Sequence, residues 1–289
     1  MKAGIYDMTA AEYHADPCPA PSLSASVAHR LLTQSPAHAY HCHPKLGQGK
    51  QDDAEHFDLG TAAHAYLLEG ETGFALIDAK DWRTKAAQEQ REAARAEGKT
   101  PLLLRQWDDV RAMAGAARVQ LGALPRPVPL LDGRAEETLI WQERGIWCRA
   151  RLDWLRGDLA WIEDYKTTSG TAHPEAWARG ALFENGYDLQ AAWYVRGAKA
   201  VLGAEPDFRF VVQENYPPYA LSVIGLAPDV WTLATKKALA AIELWAQCLE
   251  TGSWPAYPTQ TCYAELPAWR EAAWMEREER ELQAEEKTR

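Results

Sequence analysis

Between residues 146 and 155 the chain alternates in polarity. Ile146, Cys148, Ala150 and Leu152 are separated by Trp147, Arg149, Arg151 and Asp153. A period of two predicts a half-buried strand. A strand is also expected at 138–141, and another at 160–166 after the turn chemistry of Arg156-Gly157-Asp158. Further on, 208–213 and 220–226 predict a hairpin around Pro217-Pro218. Helical periodicity appears elsewhere. Trp231, Ala238, Ile242, Trp245 and Leu249 fall on one stripe of 229–250, and 185–202 reads as a helix closed by Gly203. Residues 57–68 read as a helix in which Gly60, Ala62 and Ala63 allow close packing. Near the start, Pro17, Pro19 and Pro21 mark an irregular entry. Ser24 or Ser26 then caps a short helix over 27–33, which Ser35-Pro36 ends. Residues 81–99, with Arg83, Lys85, Arg91, Arg95 and Lys99, read as a solvated helix face. The tail from Arg270 mixes both charge signs densely and predicts a solvated helix.

These elements describe an α/β protein. Its 289 residues, 47% of them hydrophobic, suffice for one large domain with a substantial core. The expected division is a single domain over 1–270 and a charged helical tail over 271–289. No apolar run approaches the ~18 residues of a membrane span, and no basic-then-apolar leader opens the chain. Cys18, Cys42, Cys148, Cys248 and Cys262 are scattered and odd in number, which points to a reducing cytoplasm without a disulfide framework. A net charge of −10 runs against the basic face usual in nucleic-acid binders. It excludes less than it suggests, because a nuclease needs an acidic centre and its basic residues need line only one channel.

The chemistry concentrates at Asp164-Tyr165-Lys166. On a strand Asp164 and Lys166 share a face, and an acid and an amine at the end of an apolar strand cost desolvation unless they have a partner or a task. Asp153 lies near the end of the preceding strand, and an antiparallel turn would bring it within cross-strand reach, ~7–8 Å on the diagonal. Two carboxylates so placed can share a hard cation such as Mg²⁺, with the Tyr165 carbonyl as a further ligand. Lys166 would then orient or deprotonate a nucleophile, or stabilise developing charge. The competing reading is a surface hairpin with a structural Asp–Lys pair, since this short spacing often arises by chance. His64, one helical turn after Gly60, is either a satisfied core or surface histidine or a nitrogen ligand to the metal. Gln190 and Tyr194 share a helix face, with Tyr187 one turn earlier. They form either a packing stripe or a polar surface offered to a phosphate backbone.

Five segments in order resemble one known group: Leu59-Gly-Thr-Ala-Ala-His64, Glu136-Glu137, Cys148-Arg-Ala-Arg-Leu-Asp153, Asp164-Tyr-Lys-Thr-Thr168 and Gln190-x-x-x-Tyr194. They resemble the RecE/exonuclease VIII group, PD-(D/E)xK exonucleases of phages and prophages related to the RecB nuclease domain and lambda exonuclease. Gly4-Ile5-Tyr6, Tyr13-His14, Ser24 through Ser35-Pro36, and Trp254-Pro255-Ala256 also resemble it, so the likeness runs from about residue 4 to 270. Leu152 stands where many relatives have proline. The resemblance implies a restriction-endonuclease-like core, a mixed central sheet flanked by helices. It implies a 5′-to-3′ exonuclease on double-stranded DNA ends that leaves 3′ single strands for a strand-annealing recombinase, with rings of subunits around the DNA. It implies His64, Asp153 and Asp164 as ligands of Mg²⁺, with Mn²⁺ as a substitute, and Lys166 as the catalytic lysine. Gln190 and Tyr194 match the Q-x-x-x-Y motif, and Glu137, or Glu136, is expected near the metal. In this setting the 81–99 segment has a second reading, a basic flap near DNA.

Overall fold

The computed structural model describes residues 1–47, 49, 59–70, 73–126, 128, 130 and 132–288. The first elements are β1 (Gly4–Tyr6), α1 (Ala10–His14), β2 (Ser22–Leu23), α2 (Ala25–Thr33) and α3 (Pro36–Cys42). Then come α4 (Leu59–Leu68), β3 (Phe74–Ile77), α5 (Lys85–Ala96), β4 (Thr100–Leu103) and α6 (Leu104–Gly122). The central run is β5 (Gly133–Glu143), β6 (Ile146–Arg156), β7 (Trp161–Thr168), α7 (Pro174–Arg179), α8 (Ala181–Glu184), α9 (Tyr187–Leu202) and β8 (Asp207–Glu214). β9 (Leu221–Gly225), α10 (Pro228–Thr251) and α11 (Ala268–Thr288) complete the chain.

Among the described residues, seven strands form one sheet in the order β1-β5-β6-β7-β8-β9, with β2 beside β6. The β5–β6, β6–β7 and β8–β9 pairs are antiparallel, as expected of neighbours joined by short turns. β7 and β8 are parallel, so the chain must cross over between them, and α7, α8 and α9 make that crossing. The sheet is therefore mixed, with helices on both faces. On one face α2, α9 and α10 pack over Leu139, Trp141, Ala150, Leu152, Ile162 and Phe210. On the other, α4 and α6 pack over Trp154, Tyr165 and Val211.

Local chemistry sets many of the boundaries. Ser24 Oγ accepts from Val27 N at 3.4 Å and starts α2. Ser35-Pro36, expected to end that helix, also begins the next: Ser35 Oγ accepts from His38 N and Pro36 takes a first-turn position that needs no amide donor. The helix expected over 57–68 is seen from Leu59; residues 57 and 58 lie outside the described ones. α5 is the solvated helix of the 81–99 segment. Its Lys85–Glu89 and Arg95–Glu92 pairs lie on an exposed surface, one turn apart. The small parallel pair β3–β4 and the helix α6 were not legible in the sequence. The buried face of α6 is built largely from Ala114, Ala117, Val110 and Met113, a weak apolar signal beside its charged residues.

α9 comes unusually close to the sheet. A Cβ on Gly197 would stand 2.8 Å from the Trp141 ring, so glycine is what the spacing permits. Next to it, Trp193 is fully buried, donates its Nε1–H to the Arg149 carbonyl at 3.0 Å and packs against Trp141. Trp193→Ala should cost about 3–5 kcal/mol of stability through cavity formation and the stranded carbonyl. A denaturant midpoint unchanged from wild type would contradict that assignment.

Residues Met1–Pro255 form one compact unit and Ala256–Arg289 another, a division that comes earlier than the expected one after residue 270. The 256–267 stretch carries no helix or strand, and α11 is exposed along the residues whose burial is described. Among the described residues no helix is long and apolar enough to cross a membrane.

Candidate active site

The site forms where the sheet opens between β6 and β7. Their ladder holds only two pairs, Leu155↔Ile162 and Trp154↔Glu163. One step outward, Asp153 falls opposite Asp164, but no further bridge forms. The Asp153 Oδ2 accepts the Tyr165 N–H at 2.9 Å, so a carboxylate takes the acceptor's place that a backbone carbonyl would fill in a continuing ladder. From there the two strands separate, and Asp153 and Asp164 stand on opposite lips of the fork. The two carboxylates are thus direct opposites rather than the diagonal neighbours the sequence suggested.

A second irregularity adds a third carboxylate. In the β5–β6 ladder Ala135 pairs with Trp154 and Glu137 with Leu152, leaving Glu136 and Asp153 unbridged. Glu136 has φ +57°, a left-handed conformation that non-glycine residues seldom adopt and that costs about 1–3 kcal/mol unless the surroundings impose it. Inward and outward positions exchange across this break. Ala135 and Trp154 pack with the α4–α6 face, whereas Leu139, Ala150 and Leu152 pack with the α9–α10 face. Glu136 is thereby aimed at His64, with Oε1 3.6 Å from Nδ1. Glu137 is not brought into the site: it sits opposite Leu152 and pairs with Arg134 at 3.3 Å. Alternation alone admits one of two adjacent glutamates, and the strained φ that selects Glu136 leaves no mark in the sequence.

His64 reaches the fork from α4. Its Nε2 lies 3.0 Å from Asp153 Oδ2 and its ring rests 5.7 Å from that of Tyr165. From the opposite face, Gln190 of α9 donates its amide to Asp164 Oδ2 at 2.8 Å and meets the Tyr194 hydroxyl at the same distance. Both expected α9 residues therefore reach the site, but Gln190 is turned inward to a carboxylate. Lys166 forms an ion pair with Asp164, lies 4.0 Å from Asp153 Oδ2 and sits 5.1 Å from the centre of the Tyr187 ring. Tyr187 is itself stacked on Trp177.

Charge is crowded here, and the titration behaviour shows it. Burial raises Asp164 above the usual carboxylate range, with the Asp153 charge adding to the effect. Burial and the charge of Asp153 push Glu136 up to about 7. Burial alone would also raise Asp153, but Lys166, His64 and the Tyr165 amide hold it low. For Lys166, burial disfavours the ammonium, but Asp164 and Asp153 outweigh it and keep the amine protonated. His64 likewise is held above its ordinary value, because Asp153 and Glu136 overcome its burial. Burial first, and the neighbouring Asp153 charge second, make these carboxylates retain protons so near neutrality, and a dication would offset both.

The donor set fits such an ion. Ligand atoms of His64, Glu136 and Asp153 lie within 4.8 Å of one another. Asp164 is fully buried, and its Oδ1 accepts no hydrogen bond, facing only the Lys166 charge. Carboxylate oxygens with a single imidazole suit Mg²⁺ and Mn²⁺ rather than a soft, thiolate-seeking metal.

A family model described as "PDDEXK-like domain of unknown function (DUF3799)" matches residues 24–266. None of the curated protein sequences matches the chain. A crystal structure from Eubacterium rectale, described as a "putative exonuclease", aligns over 91% of this chain and 97% of its own. Its TM-score is 0.56 and its identity 9%, a likeness of fold. A structure described as SSO0001 covers 70% of this chain and 99% of its own at 15% identity. Its TM-score of 0.28 is too low to show a shared fold.

Proposed function

The chain belongs to the PDDEXK-like domain family (DUF3799), and from that premise we propose that its site is the centre of a divalent-cation-dependent deoxyribonuclease. The observation that carries this reading is the meeting of Asp153, Asp164 and Lys166 at the β6–β7 fork, with His64 and Glu136 delivered from α4 and β5. His64, Glu136, Asp153 and Asp164 would hold Mg²⁺, or Mn²⁺ in its place. The Tyr165 carbonyl would join them, because in an extended strand it lies on the same edge as the N–H that meets Asp153. The cation, when bound, supplies a Lewis acid that lowers the pKa of water and offsets phosphate charge.

The side chains supply the remaining functions. Lys166, kept as an ammonium, donates to the phosphate or the departing oxygen, where negative charge develops. Gln190 fixes the Asp164 carboxylate, and Tyr194 holds the Gln190 amide in turn. Gln190→Ala removes one hydrogen bond to a charged group and should slow cleavage roughly tenfold or more. Mn²⁺ binding, measured by calorimetry, should stay nearly intact. Full activity in that variant would reduce the α9 motif to packing.

The finer reading is exonucleolytic: attack on double-stranded DNA ends, 5′ to 3′, exposing single strands for a strand-annealing recombinase. It is supported by the sequence resemblance to the RecE/exonuclease VIII group and by the description of the Eubacterium rectale neighbour. A ring of subunits would gather basic residues of a chain with net charge −10 into one channel. Digestion of end-labelled linear duplexes beside covalently closed circles in Mg²⁺ tests this. Linear DNA should be shortened from its ends and circles left intact. Circles cut as fast as linear DNA would make the enzyme an endonuclease on the same fold, and intact linear DNA would overturn the nuclease reading.

A further inference from the structure

Arg151 stands two residues before Asp153 on β6 and brings a cation into a site lined by carboxylates. Its Nε lies 2.6 Å from Glu136 Oε2, but the N–H does not point along the contact, so charge rather than a directed hydrogen bond holds the pair. The side chain is only 15% exposed, and Nη1 and Nη2 make no hydrogen bond to any described residue. Directly across the ladder, Thr138 is fully buried and its hydroxyl is also unpartnered. A guanidinium carries five donors in a rigid fork; here only Nε is buried without a hydrogen bond, and the two terminal amines stay open to meet a ligand.

Electrostatics sharpen the point. A fixed cation beside the carboxylates repels the divalent ion they are built to hold. Its presence weakens the metal site unless a further anion arrives with the ion. A phosphate, whose oxygens match the two terminal amines of arginine, is the anion that this geometry suits.

We propose that Arg151 binds a phosphate of the DNA substrate through Nη1 and Nη2 while its Nε edge rests on Glu136. The assignment rests on the nuclease reading and adds a phosphate-binding subsite beside Asp153. Its test is duplex binding by fluorescence anisotropy, with Ca²⁺ replacing Mg²⁺ so that DNA is held uncut. Mn²⁺ affinity of the free protein is measured in parallel. Arg151→Gln should bind duplex roughly tenfold or more weakly, while Mn²⁺ binds as tightly as to wild type or more so. Arg151→Lys keeps the charge without the fork and should fall between the two. If Arg151→Gln fails to fold by circular dichroism, the lysine variant carries the test, with an expected loss of about threefold or more.

Duplexes with 5′-phosphate and 5′-hydroxyl ends separate a terminal phosphate, where only the former would lose affinity, from an internal one, where both would. Unchanged duplex affinity in a folded variant overturns the proposal. So does a fall in Mn²⁺ affinity equal to the fall in DNA affinity, which would make Arg151 a support for Glu136 alone. A wild-type chain that cuts DNA while both variants bind normally defeats only this subsite. A wild-type chain that neither binds nor cuts DNA defeats the nuclease reading together with it.

Discussion

Replacing Asp153 or Asp164 by asparagine is expected to reduce DNA cleavage by about three orders of magnitude or more, to background. Each change removes an anionic ligand, and a bound Lewis acid stabilises the transition state by several kcal/mol, at roughly 1.4 kcal/mol per tenfold in rate. The fold should survive. An asparagine at 153 still offers an oxygen to the Tyr165 N–H, and one at 164 still accepts from Gln190. Because burial raises the Asp164 pKa, the ionised carboxylate costs stability in the free protein at neutral pH. Asp164→Asn removes that cost but also the ion pair that compensates the Lys166 ammonium, so the two effects oppose and the variant should stay folded with a modest shift in melting temperature without metal. Cation affinity should also fall with acidity. Glu136 binds its proton with a pKa near 7, so proton and metal compete for the site as pH drops through that value. Near-normal Mg²⁺-dependent rates in either folded variant would remove these residues from the centre.

Lys166→Met should lower the cleavage rate roughly 10²-fold or more, the usual size of a charge-stabilising or proton-transferring contribution. DNA affinity should change far less. Lys166 sits between Asp164, Asp153 and the Tyr187 ring, where it is only partly accessible, so it can serve one reacting oxygen rather than a long stretch of backbone. Single-turnover rates separate the two roles. A variant that cuts bound DNA at the wild-type rate but binds it poorly would recast Lys166 as a phosphate anchor.

How much of this site was legible depends on the range of each contact. Asp164 and Lys166 share a strand face by a rule of two residues, and Gln190 and Tyr194 share a helix face by a rule of four. Those relations hold wherever the elements sit. Asp153 could be placed near Asp164 because only one turn separates β6 from β7. For His64 the local guide was weak, its place one turn after Gly60; the ordered resemblance strengthened the ligand reading, and α4 brings it against Asp153 from the far side of the sheet. Glu136 was left undecided against Glu137. Arg151 was read as the polar half of an alternating strand and as part of the 148–153 segment that carries the resemblance, without a role of its own.

The sequence by itself determined the alternating strands, the capped helices and the α/β class, each from side-chain periodicity or turn chemistry within a few residues. It offered Asp153, Asp164 and Lys166 as a candidate site beside a structural Asp–Lys pair, and the ordered resemblance favoured the site and implied the mixed sheet. Tertiary structure decided three other things. The break that leaves Glu136 and Asp153 unbridged exchanges the faces of two strands at once. The fork opens because the Asp153 carboxylate replaces a backbone acceptor at Tyr165. α4 and α9 close on that fork from opposite faces. All three depend on contacts between elements, whose energies are set by pairing and burial rather than by any local pattern of polarity.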